Sequence, residues 1–203
     1  LAALNRALLS LGYDIQITPE EDLSYFGTIP TKDKLKILTQ NGCLPKSDHD
    51  KIYDLKKQFT IESIANLDVN SYLPNNVISC IEKLHKEYTL YIASNTNYQF
   101  IYEVLYKTNL LQYFSGIKSN QDVVNPKPNP EIYLKCMAEA SVSPSETLIM
   151  EDSKHGREAA VRSGAYICGV DHSFDFTYER VKLMINQAKP STIKRLLTKI
   201  THL

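Results

Sequence analysis

Three short polar clusters in the 203-residue sequence have side chains suited to chemistry on an anion: Ser94-Asn95, Lys127 between Pro126 and Pro128, and Glu151-Asp152-Ser153. A hydroxyl and an amide beside a helix N-terminus can hydrogen-bond an anionic oxygen together with backbone N–H groups, although Ser and Asn there are also ordinary N-caps. Prolines on both sides of Lys127 restrict the backbone around a cation, which would aim an ammonium as a point charge at phosphate or carboxylate; the ordinary alternative is a solvated loop lysine. Adjacent carboxylates repel unless a cation lies nearby, and hard oxygen donors of this kind suit Mg²⁺ together with phosphate and water. Acids at a helix N-terminus also interact favourably with the dipole, so capping is the competing explanation.

The elements that must position these clusters follow from periodicity and punctuation. Leu1, Leu4, Leu8 and Leu11 make a helical stripe closed by Gly12, and Thr18 with Glu21 is a capping-box signature opening a second helix. Thr31-Lys-Asp-Lys-Leu35 opens a third helix, and Ser47 or Asp48 a fourth bearing Ile52, Leu55, Phe59 and Ile64. From residue 71 the rhythm changes. A helix with Val77, Ile78, Ile81 and Leu84 leads to the short apolar run Thr89-Leu-Tyr-Ile-Ala93, which suits a buried parallel strand. Further strands are expected at Gly116–Lys118, Thr147–Met150 and Ala165–Cys168, separated by helices at Tyr98–Thr108, Glu131–Ala140 and Lys154–Ser163. Strands alternating with helices predict an α/β fold: a Rossmann-like parallel sheet with helices on both faces, preceded by a small all-helical unit. In open parallel sheets ligands bind beyond the carboxyl ends of the strands, and all three polar clusters follow expected strands.

Charge and cysteine content limit the function classes. Lys+Arg and Asp+Glu number 23 each, so the formal net charge is zero and gives no general case for a nucleic-acid partner. The basic residues from Arg180 onward (Arg180, Lys182, Lys189, Lys194, Arg195, Lys199) are accompanied by no acid, and Ile193, Leu196, Leu197, Ile200 and Leu203 recur at helical spacing. That tail is expected to be a solvated amphipathic basic helix, with a nucleic-acid arm or an anionic-lipid or partner contact as the alternatives. Cys43, Cys80, Cys136 and Cys168 form no Cys-x-x-Cys pair, which predicts free thiols and a reducing, cytoplasmic setting. No apolar run reaches the length of a membrane span. G-x-S-x-G, a P-loop and a Cys-Arg phosphatase loop are all missing, which disfavours a serine hydrolase, a P-loop enzyme and a cysteine phosphatase.

Lys127 stands 33 residues after Ser94 and 24 before Glu151. That order and spacing resembles the haloacid dehalogenase-like (HAD) hydrolase superfamily, in particular the subgroup that includes beta-phosphoglucomutase and phosphoglycolate phosphatase. The stretches that carry the resemblance are Tyr91-Ile-Ala-Ser-Asn95, Lys127-Pro-Asn-Pro-Glu-Ile-Tyr133 and Leu148-Ile-Met-Glu-Asp-Ser153 through Gly164-Ala165. The resemblance implies a helical cap over residues 1–70 and a HAD-like core over residues 71–203. It also implies that Ser94, Asn95 and Lys127 bind phosphate, and that Asp152, with Glu151 beside it, ligates Mg²⁺. The chemistry implied is phosphoryl transfer from a small phosphorylated metabolite through an aspartyl-phosphate. Gly27, Thr31 and Lys32 are then the candidate substrate contacts of the cap, and Lys32 and Lys34 could meet a second anionic group; a charged solvent face is the alternative.

The sequence departs from the family pattern at one point. The family's first motif, Asp-x-Asp after a strand, supplies the nucleophile, and the only Asp-x-Asp in these residues is Asp48-His49-Asp50, which reads as a helix start. The sequence also lacks an initiator Met, so the motif is expected upstream of Leu1, the 203 residues alone are expected to be inactive, and the sheet is expected to have exposed edges where that strand is missing. A phosphomutase, a non-catalytic HAD-like binding or regulatory domain, and a dehalogenase are the competing readings.

Overall fold

A computed structural model describes residues 1–26, 29–66, 73–171, 175–187 and 195–198, with the backbone alone for Leu23, Tyr25 and residues 195–198. The chain divides into two units, Leu1–Leu67 and Asp68–Leu203.

The first unit is helical. Helix α1 (Ala2–Ser10) packs on α4 (His49–Ala65), with α3 (Thr31–Gln40) also against α4. Leu4, Ala7, Leu8, Leu35, Leu38, Ile52 and Phe59 form its core, as their helical spacing requires. The Thr18–Glu21 capping box is present, but α2 (Pro19–Glu21) is a single turn that continues as a π-helical segment, Asp22–Phe26. The expected Asp48-His49-Asp50 helix start is a 3-10 turn, Lys46–Asp48, leading into α4.

The second unit is a parallel sheet in the order β2-β1-β5-β3-β4, with β1 Thr89–Ala93, β2 Phe114–Lys118, β3 Thr147–Glu151, β4 Tyr166–Gly169 and β5 Arg195–Thr198. Alternation along β1 and β3 assigns the two faces. Leu90, Ile92, Leu148 and Met150 pack with residues of α5 (Asn75–His85), α6 (Tyr98–Lys107) and α9 (Tyr178–Gln187). Tyr91, Ala93 and Ile149 pack with residues of α7 (Glu131–Ala140) and α8 (Lys154–Ser163). The same period of two places Glu151, the last residue of β3, on the α7/α8 side.

The expected C-terminal amphipathic helix is corrected at Arg195–Thr198, which form a strand; residues 188–194 and 199–203 lie outside the described residues. Arg195, Leu196, Leu197 and Thr198 pair in parallel with Thr89 to Ile92 on one side and Thr147 to Met150 on the other. The sheet therefore does not break open between β1 and β3, as the expectation of exposed edges required. Two open backbone edges demand hydrogen-bond partners, and that long-range demand outweighs the weak local preference of Leu-Leu-Thr for a helix.

Candidate functional site

The site begins at the C-terminal end of β1. Ser94 is buried, its N–H donates to the Lys118 carbonyl at 2.9 Å, and its Oγ accepts the Thr96 N–H at 3.2 Å. Asn95 reaches across to the second cluster with both ends of its amide. Its Oδ1 accepts the Lys127 N–H at 3.2 Å and its Nδ2 donates to the Lys127 carbonyl at 3.4 Å. The backbone of Lys127 is thus held by a side chain from the β1 loop, in addition to the flanking prolines. Its Nζ turns inward and donates to the Ala93 carbonyl at 2.9 Å and to Glu151 Oε2 at 2.8 Å.

Glu151 is the hub. Its side chain is 0% exposed and that of Lys127 2%, so this is an ion pair removed from water. Oε2 also accepts the hydroxyl of Tyr133 at 2.5 Å, while Oε1 accepts the N–H of Asp152 at 3.2 Å, the N–H of Ser153 at 3.0 Å and Ser153 Oγ at 2.9 Å. Five donors on one carboxylate satisfy a charge that would otherwise be costly to bury. The Lys127 ammonium lies 4.4 Å from the centroid of the Tyr133 ring, adding a cation–π contact. Burial, first, and the Glu151 charge push the Tyr133 phenol far up, so it remains a donor. Ser153 Oγ also accepts the Gly156 N–H at 3.1 Å, capping α8. Asp152 is half-buried beside this hub, one residue beyond the strand.

The structure brings Ser94-Asn95, Lys127 and Glu151-Asp152 together through these bonds. The cap candidates are in the helical unit: Thr31 is the first residue of α3, Lys32 is exposed with its ammonium 5.1 Å from the Tyr53 ring centroid, and Gly27 lies outside the described residues. Sequence reasoning missed Tyr133 and Gly156. Gly156 had a visible signal, because glycine in the first turn of a helix sacrifices propensity and implies a close approach.

Glu131 braces the Lys127 loop from the start of α7. It accepts the N–H of Val124 at 3.0 Å, the N–H of Asn125 at 2.9 Å and Asn125 Nδ2 at 3.1 Å, and the backbone donors, aided by Lys135, pull its carboxyl from 4.5 down to about 2. A depressed carboxyl contributes order that is complete above its unfolded value and lost as pH falls through its folded one. The Val124 and Asn125 amide proton shifts are therefore expected to hold down to about pH 4.5 and to titrate near 2. A midpoint at the ordinary carboxyl value would show that the brace does not form.

A profile of the haloacid dehalogenase-like hydrolases matches residues 1–170. The chain belongs to that family. Among similar HAD-like proteins, the phosphorylated carbohydrates phosphatase of Thermotoga maritima is 37% identical over 91 residues, 44% of this chain and 42% of that protein. The phosphoglycolate phosphatase of Aliivibrio fischeri is 26% identical over 185 residues, 87% of this chain and 75% of that protein. The beta-phosphoglucomutase of Clostridium difficile shares the fold, with a TM-score of 0.72, 20% identity and coverage of 92% of this chain and 89% of that one. Two of the curated HAD-like relatives are matched over only 33% and 42% of their own length. Among the described residues no helix is long and apolar enough to cross a membrane.

Proposed function

We propose that this HAD-like chain belongs to a Mg²⁺-dependent phosphatase of small phosphorylated metabolites that works through an aspartyl-phosphate. The observation that supports it most is the buried Lys127–Glu151 pair, in which the ammonium also donates to the last carbonyl of β1 and the carboxylate ends β3. It holds a dehydrated cation beside Ser94 and Asp152, where charge on transferring phosphoryl oxygens would need neutralising. In this reading Ser94 Oγ and the Asn95 loop bind phosphate oxygens, Lys127 offsets their charge, and Tyr133 and Ser153 keep Glu151 ionised and in place.

The donor chemistry fits Mg²⁺. Asp152 offers hard carboxylate oxygens one residue beyond β3, whereas both oxygens of the adjacent Glu151 are committed to their five donors. A single protein carboxylate suits a cation that keeps waters and takes the rest of its shell from phosphate. When bound it would supply positive charge next to the phosphoryl oxygens. The nucleophilic carboxylate is assigned to sequence outside these 203 residues, because the one Asp-x-Asp here opens α4 and β5 carries Arg-Leu-Leu-Thr.

The deciding experiment is an assay of the complete gene product against phosphate monoesters with and without Mg²⁺. Hydrolysis that stops with EDTA and returns with Mg²⁺ is expected, and Asp152→Asn should lower kcat/KM by about a hundredfold or more, the scale of one lost electrostatic contact to the transition state. Full activity of that variant, or metal-independent turnover, defeats the assignment. A second reading, a non-catalytic phosphate-binding domain, is favoured by one observation: the strand seated between β1 and β3 brings no carboxylate. Saturable phosphate binding without turnover in the complete protein would select it.

A further inference from the structure

We propose that Arg157 is a positioning residue for Asp152: its guanidinium fixes the peptide bond between Glu151 and Asp152 and thereby aims the Asp152 carboxylate. On the phosphatase reading above, on which this last step rests, that carboxylate is the protein ligand of Mg²⁺, and Arg157 sets the affinity for the metal through it.

Arg157 is the fourth residue of α8, at the end where a cation works against the helix dipole, so its own helix gives no reason for it. Its side chain instead bridges the carboxyl ends of two strands. Nε donates to the Glu151 carbonyl at 3.3 Å, while Nη2 donates to the Val170 carbonyl at 3.3 Å and pairs with Asp171. A Cβ at Gly169 would stand 3.5 Å from the guanidinium carbon, which places the planar group against the end of β4. The side chains of Arg157 and Asp171 are 39% and 67% exposed, so their pairing adds little stability of its own and serves to orient the fork. Arg180 separately donates to the Gly169 carbonyl at 2.9 Å, which gives the turn after β4 an anchor that does not depend on Arg157. What depends on Arg157 is the end of β3.

The peptide unit joining Glu151 to Asp152 is held at both polar ends. Its carbonyl accepts Arg157 Nε and also the Val170 N–H, the latter at 3.1 Å, and its N–H donates to Glu151 Oε1 at 3.2 Å. The next peptide is held as well, because the Ser153 N–H donates to the same Oε1 at 3.0 Å. Peptide units are planar, so fixing the two that flank Asp152 fixes its φ and ψ and the direction in which its side chain leaves the backbone. A lysine could not take over this role. An ammonium is a single point charge, whereas here two nitrogens of a rigid fork reach carbonyls at the ends of two different strands.

The test uses the complete protein with Mn²⁺ as the probe and Mg²⁺ as its competitor, the electron paramagnetic resonance signal of free Mn²⁺ reporting occupancy without turnover. Asp152→Asn should abolish binding at the site. Arg157→Gln is expected to raise the Kd of both metals about tenfold, the scale on which groups behind a metal ligand act. The sign is diagnostic: loss of a positive charge beside a cation site would by electrostatics alone tighten binding, whereas freeing Asp152 weakens it. Arg157→Lys, which keeps the charge but not the fork, should behave like Arg157→Gln. Tighter or unchanged binding in Arg157→Gln, or parent-like binding in Arg157→Lys, overturns the inference. In the metal-free protein, Arg157→Gln should also speed amide hydrogen exchange at Asp152 about tenfold and leave that at Ser94 unchanged, since the Ser94 N–H is held by the Lys118 carbonyl of β2. Equal acceleration at both amides shows general loosening and defeats the positioning role. Mn²⁺ binding by Asp152→Asn as tight as that of the parent defeats the metal assignment instead, and the exchange measurement then decides by itself whether Arg157 fixes Asp152.

Discussion

Gly156→Ala is expected to destabilise the α/β unit and to lower kcat/KM in the complete protein by about a hundredfold, roughly 2.7 kcal/mol. Helix propensity alone gives the opposite sign, because alanine in place of glycine within Lys154–Ser163 should stabilise by about 1 kcal/mol. The reversal comes from Glu151. A Cβ on Gly156 would collide with the carboxyl carbon and both oxygens of Glu151. The far end of a glutamate would ordinarily swing away at little cost, but this one is fixed by Lys127, Tyr133, Ser153 and the N–H groups of Asp152 and Ser153. Either those bonds break or the first turn of α8 moves off the sheet, and overpacking of that kind costs about 1–3 kcal/mol. Urea unfolding reads the sign directly. A stabilised variant with unchanged turnover would show that the carboxylate is not confined as described.

Glu151→Ala is expected to cost still more stability, about 3–5 kcal/mol, because it removes the carboxylate that the buried Lys127 ammonium donates to at 2.8 Å. The bond to the Ala93 carbonyl and the contact with the Tyr133 ring are to neutral groups and do not replace that charge. Exchanging both partners, as in Lys127→Met with Glu151→Leu, should recover much of that loss, because desolvation of two ions is then avoided as well. On the proposed phosphatase reading, activity should not return in that double variant, since the dehydrated cation beside Ser94 and Asp152 has gone. Equilibrium denaturation of the two single variants and the double gives the coupling energy. Loss of less than about 1 kcal/mol in Glu151→Ala, or a double variant no more stable than the singles, would mean that the pair is hydrated and the site differently built.

Both expectations concern contacts that were only partly legible in the amino-acid order. The strands could be read: Thr89–Ala93 and the run from Thr147 are short, apolar and bounded by polar residues, as buried parallel strands require. The order of the three polar clusters was likewise visible, since each follows such a strand. That Asn95 grips the Lys127 backbone was not visible, because the two are distant in sequence and their meeting depends on β1 and β2, whose loops carry them, lying side by side in one sheet. Tyr133 ends the stretch from Lys127 but has no role that local sequence assigns; its hydroxyl gains a purpose only because α7 and the end of β3 share a face.

The tail shows the reverse case. Leu196 and Leu197 fit a helical stripe when read alone, and nothing local distinguishes that stripe from a strand. Their assignment was made by the unpaired edges of β1 and β3, which are assembled from residues about a hundred and about fifty positions earlier. The sequence by itself therefore determined the class of fold, the helical and α/β portions, and which residues stand at strand ends, because periodicity and punctuation act over a few residues. Tertiary structure alone decided which donors saturate Glu151, why residue 156 must lack a side chain, and what fills the centre of the sheet, because backbone pairing and charge burial are settled between segments far apart in the chain.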